Sequence, residues 1–497
     1  MRFGIDFGTT RTVIAAVDRG NYPVVNVADH YGDPEEYIPT VVALDSAGKI
    51  RVGWEALYAD SPTLIRSFKR LLSGGQVNSQ TPVDCGDETR SLGDILQAYA
   101  HAVVRCLLAF QHQQADYSTP EVVLGVPANA PSAQRLLTVD AFRSAGVEVI
   151  GLVNEPSAAA FEYTHRHAGT LNSKRRSIIV YDLGGGTFDV SLLRIHGHHH
   201  EVVASRGISR LGGDDFDEVL AELTLKAAHR DEDAFGRGAR RRLLDEVRSA
   251  KEALKPQSKR LVMELNDEDI IIPVDTFYHA ITPLIEQSLE ATQPLVGAES
   301  SLVDTDIAGI YLVGGATALP LVPRMLRERY GRRVHRSPLP TASTAVGLAI
   351  AADPSSEYLL SDRRSRGIGV FREMDAGQAV SFDPLLAPGS AQGGTHITRR
   401  YRAAHNIGWF RYVEYVNIDE SYAPGDLALL TEVLVPFDPA LRRSDVHLSQ
   451  EQLRDIPVTR TGPGPLVEET LSIDNDGIAQ IKIVLPEENW SMDLSAH

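Results

Sequence analysis

One short unit constrains this chain more than any other, and it occurs twice. Ile178-Ile-Val-Tyr181 is an apolar run that ends on Asp182; Gly184, Gly185 and Gly186 turn the chain, and Thr187-Phe-Asp-Val-Ser-Leu-Leu193 returns as a second strand. Residues 3 to 17 repeat the plan: a strand ends on Asp6, Gly8, Thr9 and Thr10 make the turn, and a second strand follows. Glycines let consecutive backbone N–H groups point at one spot, the geometry that cradles phosphate. Thr187 adds a hydroxyl, and Asp182 and Asp189 add carboxylates suited to a hydrated Mg²⁺ or to orienting water. A single copy would read equally well as a glycine hairpin with two surface acids. Two copies, one in each half of a long segment, predict two lobes closing on one nucleotide.

The bulk figures narrow the class. With 497 residues, the chain has room for two to four domains. Its net charge of −17 argues against a nucleic-acid or anionic-membrane surface, because both favour basic patches. Two cysteines, Cys85 and Cys106, make neither a disulfide framework nor a zinc site, and they fit a reducing cytoplasm. The N-terminus enters a strand at once, so no secretory leader is expected. No apolar run approaches the roughly 18 residues of a membrane span.

Along the chain, periodicity predicts a short helix over 61–72 carrying Lys69, with Ser61 or Thr63 near its cap, and an amphipathic helix over 92–111. Glu121–Pro127 reads as a buried strand stopped by proline, 131–145 as a helix bearing Arg135, and 149–153 as a strand. Glu155 then sits where that strand gives way to a helix. On residue type alone, Lys69 is a solvated helical lysine and Glu155 a carboxylate favoured by a helix N-terminus. His196-Gly-His-His-His200 is expected to be a hairpin turn and not a metal site. Leu211–Asp217 is a further glycine turn opening a helix, a phosphate or ribose contact by its chemistry. Arg248, Lys251 and Lys255 share one helix face, readable as a solvated stripe or as a nucleotide-facing one. Ile310–Thr317 is a strand ending in the Gly314-Gly315 turn, and Ser343–Ala352 is a small-residue helix suited to close packing. Beyond Asp353-Pro354, residues 357–364 read as an exposed linker with an apolar centre. Strands and Pro/Gly turns then predict a β-sandwich-like domain of roughly 130 residues, with a hairpin over 470–485 turning at Asn475-Asp476-Gly477.

These motifs, in this order, resemble the signatures of the 70-kDa heat-shock chaperones: Gly4–Thr10, Phe68–Leu71, Val153–Ala160, Tyr181–Asp189, Leu211–Asp217 and Leu312–Thr317. The match runs from residue 1 to about 352; residues 357–485 resemble that family's substrate domain only through the linker and the last hairpin. The resemblance implies an α/β, two-lobed actin-like ATPase (duplicated ribonuclease-H-like lobes) at 1–353, with lobe I about 1–176 and lobe II about 177–353. A linker at 354–366 and a small β-sandwich-like domain at 367–497 would follow. By position, Asp6 and Asp182 would hold hydrated Mg²⁺ with flanking K⁺. Gly8, Thr9, Thr10, Arg11, Gly184, Gly185, Gly186, Thr187, Gly212 and Gly213 would grip the phosphates of ATP. Lys69 would position the attacking water, assisted by Glu155, Asp182, Thr187 and Asp189, which reverses the plain readings of Lys69 and Glu155. Asp214, Arg248, Lys251, Glu252, Lys255, Gly314, Gly315 and Ala316 would surround adenosine. Pro127 and Arg135 match the relay between nucleotide state and substrate domain.

The departures fall together. Arg248 stands where the family commonly has Glu, Glu252 where it has Arg, and Ala318 where it has a second Arg, so two purine-stacking arginines are missing. Arg11 is unusual beside the first phosphate turn, and Lys255 replaces a small hydroxyl residue. Ser361 and two arginines dilute the linker, and no helical lid is expected after the sandwich. The resemblance implies a lidless cytoplasmic ATP-hydrolysing chaperone that binds unfolded or extended polypeptide, with a J-domain co-chaperone and a nucleotide-exchange factor as candidate partners and no nucleic acid or membrane. Its rival is a nucleotide-locked co-chaperone module with slow or no hydrolysis and one dedicated protein partner. An actin-like filament protein and a small-molecule kinase fit the motifs less well.

Overall fold

The computed structural model describes residues 1–495 except 46, 60–63, 74–76, 87, 168–173, 231–236, 266–267, 298–305, 362–365, 391–392, 419–423, 426 and 443–447. The chain divides into two compact units: Met1–Leu71 with Gln80–Ala128 and Val139–Ser361, and Leu72–Ser79 with Asn129–Thr138 and Asp362–His497. Among the described residues, no helix is long and apolar enough to cross a membrane.

The first unit contains two mixed sheets with one connectivity. In the first, Arg2–Phe7 pairs antiparallel with Arg11–Ala16 and parallel with Glu121–Val126, which pairs parallel with Glu148–Asn154. In the second, Ser177–Leu183 pairs antiparallel with Phe188–His196 and parallel with Ile307–Val313, which pairs parallel with Val334–Arg336. Hairpin first and parallel strands after is the order in both, so the duplication seen in the motifs extends to the sheets. The central strands are apolar throughout (Ile178 to Tyr181 are fully buried) because helices cover both faces of a sheet with parallel strands.

Helix Leu92–Gln113 is capped by Ser91, whose Oγ accepts from the Asp94 N–H, and it buries Leu92, Ile95, Leu96, Tyr99, Val103 and Leu107. Each such leucine or isoleucine contributes about 2 kcal/mol. Tyr99 stacks on Phe7 at 5.4 Å, and its hydroxyl donates to Thr12 Oγ1 at 2.9 Å, which ties the helix to the first hairpin. Helix Ser343–Ala352 meets its neighbours backbone to backbone. A Cβ on Gly4 would lie 2.2 Å from Ala349 N, and one on Gly347 would lie 1.8 Å from Ala158 O.

One expectation fails here. The described part of the predicted helix 61–72 is not α-helical: Leu64–Arg66 is a strand paired with Val41–Ala43, and Phe68–Ser73 is a 3₁₀ turn. Ser67 between them has φ 52°, a left-handed conformation that stops any helix. The expected caps Ser61 and Thr63 lie outside the described residues. The apolar centre of the predicted linker is paired. Leu359–Ser361 pairs parallel with His199–Glu201 at the edge of the second sheet, while Tyr358 lies 5.0 Å from the His198 ring and 5.4 Å from Phe161. The predicted histidine turn is there, tightened to Gly197 and His198 between paired strands.

The second unit holds two four-stranded antiparallel sheets. Ile368, Val370, Phe410, Val433 and Val435 from one sheet share a core with Val467, Leu471, Ile481 and Ile483 from the other. Strand Leu466–Ile473 alternates half-buried and buried positions as a one-face strand should, with one anomaly: Glu469 is on the buried face. It accepts from Tyr412 Oη at 2.7 Å and Tyr401 Oη at 3.1 Å and pairs with Arg372 at 2.9 Å.

Candidate functional site

Both hairpin turns are closed by the same bond. Gly8 N–H donates to Arg11 O at 3.1 Å, and Gly184 N–H donates to Thr187 O at 3.0 Å. The two turns face each other at close range: a Cβ on Gly185 would sit 2.3 Å from Thr10 Cγ2, and one on Gly186 would sit 2.5 Å from Thr9 Cγ2. Helix Gly213–Ala227 starts against the second turn, with Gly213 N–H donating to Gly184 O at 3.0 Å and Asp214 N–H to Gly185 O at 2.7 Å. Gly212 packs there too, since its Cβ would reach Gly185 C at 2.6 Å. Gly314 has φ 84°, and a Cβ would meet Asp182 Oδ1 at 2.4 Å, so only glycine fits this close approach.

Between these turns lies a cleft of about 710 Å³, a size suited to a nucleotide. Asp6, Gly8, Thr9, Thr10, Arg11, Lys69, Glu155, Asp182, Gly184, Gly185, Thr187, Gly213, Asp214, Arg248, Lys251, Glu252, Gly314, Gly315 and Ala316 line it. Lys69 is buried, not solvated: its Nζ lies 2.9 Å from Glu155 Oε1 and 5.3 Å above the Phe7 ring. Asp189 stands directly across the hairpin ladder from Asp182 and is buried, with Oδ1 lacking a hydrogen-bond partner among the described residues.

The electrostatics follow from four acids around one ammonium. Burial, then the nearby Glu155 charge, pushes Asp182 up to about 7. Asp6 and Asp189 are raised for the same two reasons in the same order, and Lys69 opposes the rise in all three. Buried carboxyls raised in this way give up their protons more readily once a cation sits beside them. Among the described residues, no three acids or histidines converge as a direct metal cage. Mg²⁺ keeps most of its water and binds through one or two carboxylates together with phosphate oxygens. Asp6 and Asp182, at the two strand ends, are the residues that fit it.

The far half of the cleft is laced with ion pairs. Arg248 bonds Asp214 and Asp217, each at 3.0 Å. Lys251 pairs with Asp217 and donates to Gly213 O at 2.6 Å. Burial raises Asp217, and these two cations pull it back. From the N-terminal segment, Arg66 pairs with Asp245, Ser67 Oγ donates to Asp214 at 2.5 Å, Arg70 pairs with Asp215 at 2.7 Å and Arg11 with Glu252 at 2.7 Å. Sequence reasoning missed Tyr37, Tyr58, Arg66 and Asp245, which also line the cleft; no motif marked them, though Arg70 lay within a quoted one. Lys255 falls beyond the helix end, exposed and outside the cleft lining. Pro127, in the first unit, is buried at the end of its strand. Arg135, in the second, is buried with Nε donating to Ala130 O at 3.3 Å and Nη1 to Asp476 O at 3.5 Å.

The family model described as Hsp70 protein matches residues 97–361. A protein of Burkholderia ambifaria (strain MC40-6) named "Chaperone protein HscA homolog" is 35% identical over 497 residues, covering 96% of this chain and 75% of the relative. Its namesake in Burkholderia pseudomallei (strain 668) is 35% identical over 496 residues, with the same coverage of each chain.

Proposed function

This chain belongs to the Hsp70 family, and from that premise we propose that it is an ATP-hydrolysing chaperone whose nucleotide state controls its grip on unfolded or extended polypeptide. The observation that carries the reading is the buried Lys69–Glu155 pair at 2.9 Å, set between two aspartate-tipped strands whose glycine turns face each other. Phosphoryl transfer to water needs mainly positioning and charge neutralisation. The N–H groups of the two turns and the Thr9, Thr10 and Thr187 hydroxyls grip the phosphates. Lys69 brings a positive charge to the transferred group, and Glu155 fixes the ammonium in place. Asp189 accepts a hydrogen bond from the attacking water, a role its unpaired buried Oδ1 supports. Mg²⁺ held by Asp6 and Asp182, with K⁺ beside it, would supply the remaining neutralising charge.

In this reading, residues 1–353 are the two-lobed, actin-like ATPase, 354–366 the linker and 367–497 a sandwich-like substrate domain. Pro127 and Arg135 relay between them. A J-domain protein and an exchange factor are the partners expected of such a cycle, and its place is the cytoplasm, where the unpaired Cys85 and Cys106 stay reduced. The test is single-turnover ATP cleavage with and without an unfolded apolar peptide. Cleavage that the peptide accelerates and that Thr187→Ala abolishes is the expected result; nucleotide binding without cleavage would overturn it. That outcome would favour a nucleotide-locked co-chaperone module, a reading supported by Arg248 and Lys251 being tied to Asp214 and Asp217.

A further inference from the structure

Three arginines line the cleft, Arg11, Arg66 and Arg248, and all three are ion-paired. Arg248 is bound along its edge by two aspartates, and Arg66 is held by Asp245. Arg11 differs. Its guanidinium carbon lies 4.6 Å from the centroid of the Tyr37 ring, while Nη2 is anchored to Glu252 Oε2 at 2.7 Å. Tyr37 is itself held. The Trp54 ring lies 5.2 Å from it, and Trp54 Nε1 donates to the Tyr37 carbonyl at 3.3 Å. The cation therefore rests against an aromatic ring and is tied at one nitrogen to a carboxylate, while 31% of its side-chain surface stays accessible. Arg11, Tyr37 and Glu252 all line the cleft.

We propose that Arg11, backed by Tyr37 and oriented by Glu252, is the stacking platform for the purine base of the bound nucleotide, and so the residue that sets base preference. The inference rests on the nucleotide reading above and deepens it. A guanidinium is the side chain best suited to lie flat on a π-system while its edge is hydrogen-bonded. A bicyclic purine covers that plane more fully than a one-ring pyrimidine, so the platform discriminates between them. The charge exchange explains why Glu252 sits on the second lobe's helix: it holds an arginine that arrives from the first lobe. Arg11 then belongs to the base and not to the phosphates, although it follows the phosphate turn directly in sequence.

The test is calorimetric titration of the full chain with ADP and with CDP in Mg²⁺ buffer. The variants are Arg11→Lys, Arg11→Ala and Tyr37→Ala, each checked for an unchanged melting transition. The wild-type chain should prefer ADP to CDP. Arg11→Lys keeps the charge and loses the plane; it and Arg11→Ala should weaken ADP about tenfold and CDP far less, so the preference collapses. Tyr37→Ala should follow them. An equal loss for ADP and CDP would make Arg11 a phosphate ligand and overturn the proposal, as would an Arg11→Lys variant that binds like wild type. A wild-type chain that binds neither ADP nor ATP would overturn the nucleotide reading first.

Discussion

Replacing Lys69 by methionine keeps most of the side-chain volume and removes the one ammonium that faces Asp6, Glu155, Asp182 and Asp189. At 2.9 Å from Glu155, and with an effective dielectric of about 20, the direct attraction is about 6 kcal/mol. Relief from burying the amine returns part of this, and the expected net loss of stability in a metal chelator is about 3 kcal/mol. The loss should depend on pH in a definite sense. Asp182 is already raised to about 7, so in the wild-type protein its contribution is full at low pH and is lost as pH rises through that value. Lys69 holds Asp6, Asp182 and Asp189 down, so without it all three keep their protons to higher pH in the folded state. The folded variant then binds more protons than wild type near neutrality, and its deficit grows with pH. It should therefore be larger at pH 8.5 than at pH 6. Urea unfolding followed by Trp54 fluorescence, with Trp409 and Trp490 replaced by phenylalanine, measures this for the first unit. An equal deficit at both pH values, or a larger one at pH 6, would refute the charge argument. ATP cleavage by the same variant should fall at least a hundredfold or so.

Gly347→Ala should be costly although alanine favours helices, because its Cβ would lie 1.8 Å from the Ala158 carbonyl and only backbone could move. A loss of about 3 kcal/mol is expected, read as a lower thermal midpoint of the first unit, and an unchanged midpoint would refute the packing. In the second unit, Glu469→Ala leaves Arg372 and the Tyr401 and Tyr412 hydroxyls without their shared carboxylate. It should cost about 3 kcal/mol in denaturant unfolding monitored at Trp409 and Trp490, while Glu469→Gln should recover part of that loss.

What could be read from the sequence was local. The hairpins at Asp6 and Asp182 are visible because strand, carboxylate and glycine turn are contiguous. The same holds for helix Leu92–Gln113, with its cap and apolar stripe, and for the turn at Gly477, whose φ is 76°. The misreading was of a segment whose partner lies elsewhere in the chain. Leu64–Arg66 has helical composition and becomes a strand because Val41–Ala43 offers a ladder. The pairing of Leu359–Ser361, the apolar centre of the linker, with the sheet edge at His199–Glu201 is likewise invisible locally.

The candidate site divides in the same way. Residue order and spacing mark the two glycine turns and the acids at the strand ends, whereas Arg11 and Glu252 stand out only against the family's pattern. The burial of Lys69 against Glu155, 86 positions away, and the pairing of Arg11 with Glu252, 241 positions away, arise only when the sheets and helices pack around the cleft. A lysine reads as solvated until the fold takes its water away, and two charges far apart in sequence have no relation until the chain closes the distance between them.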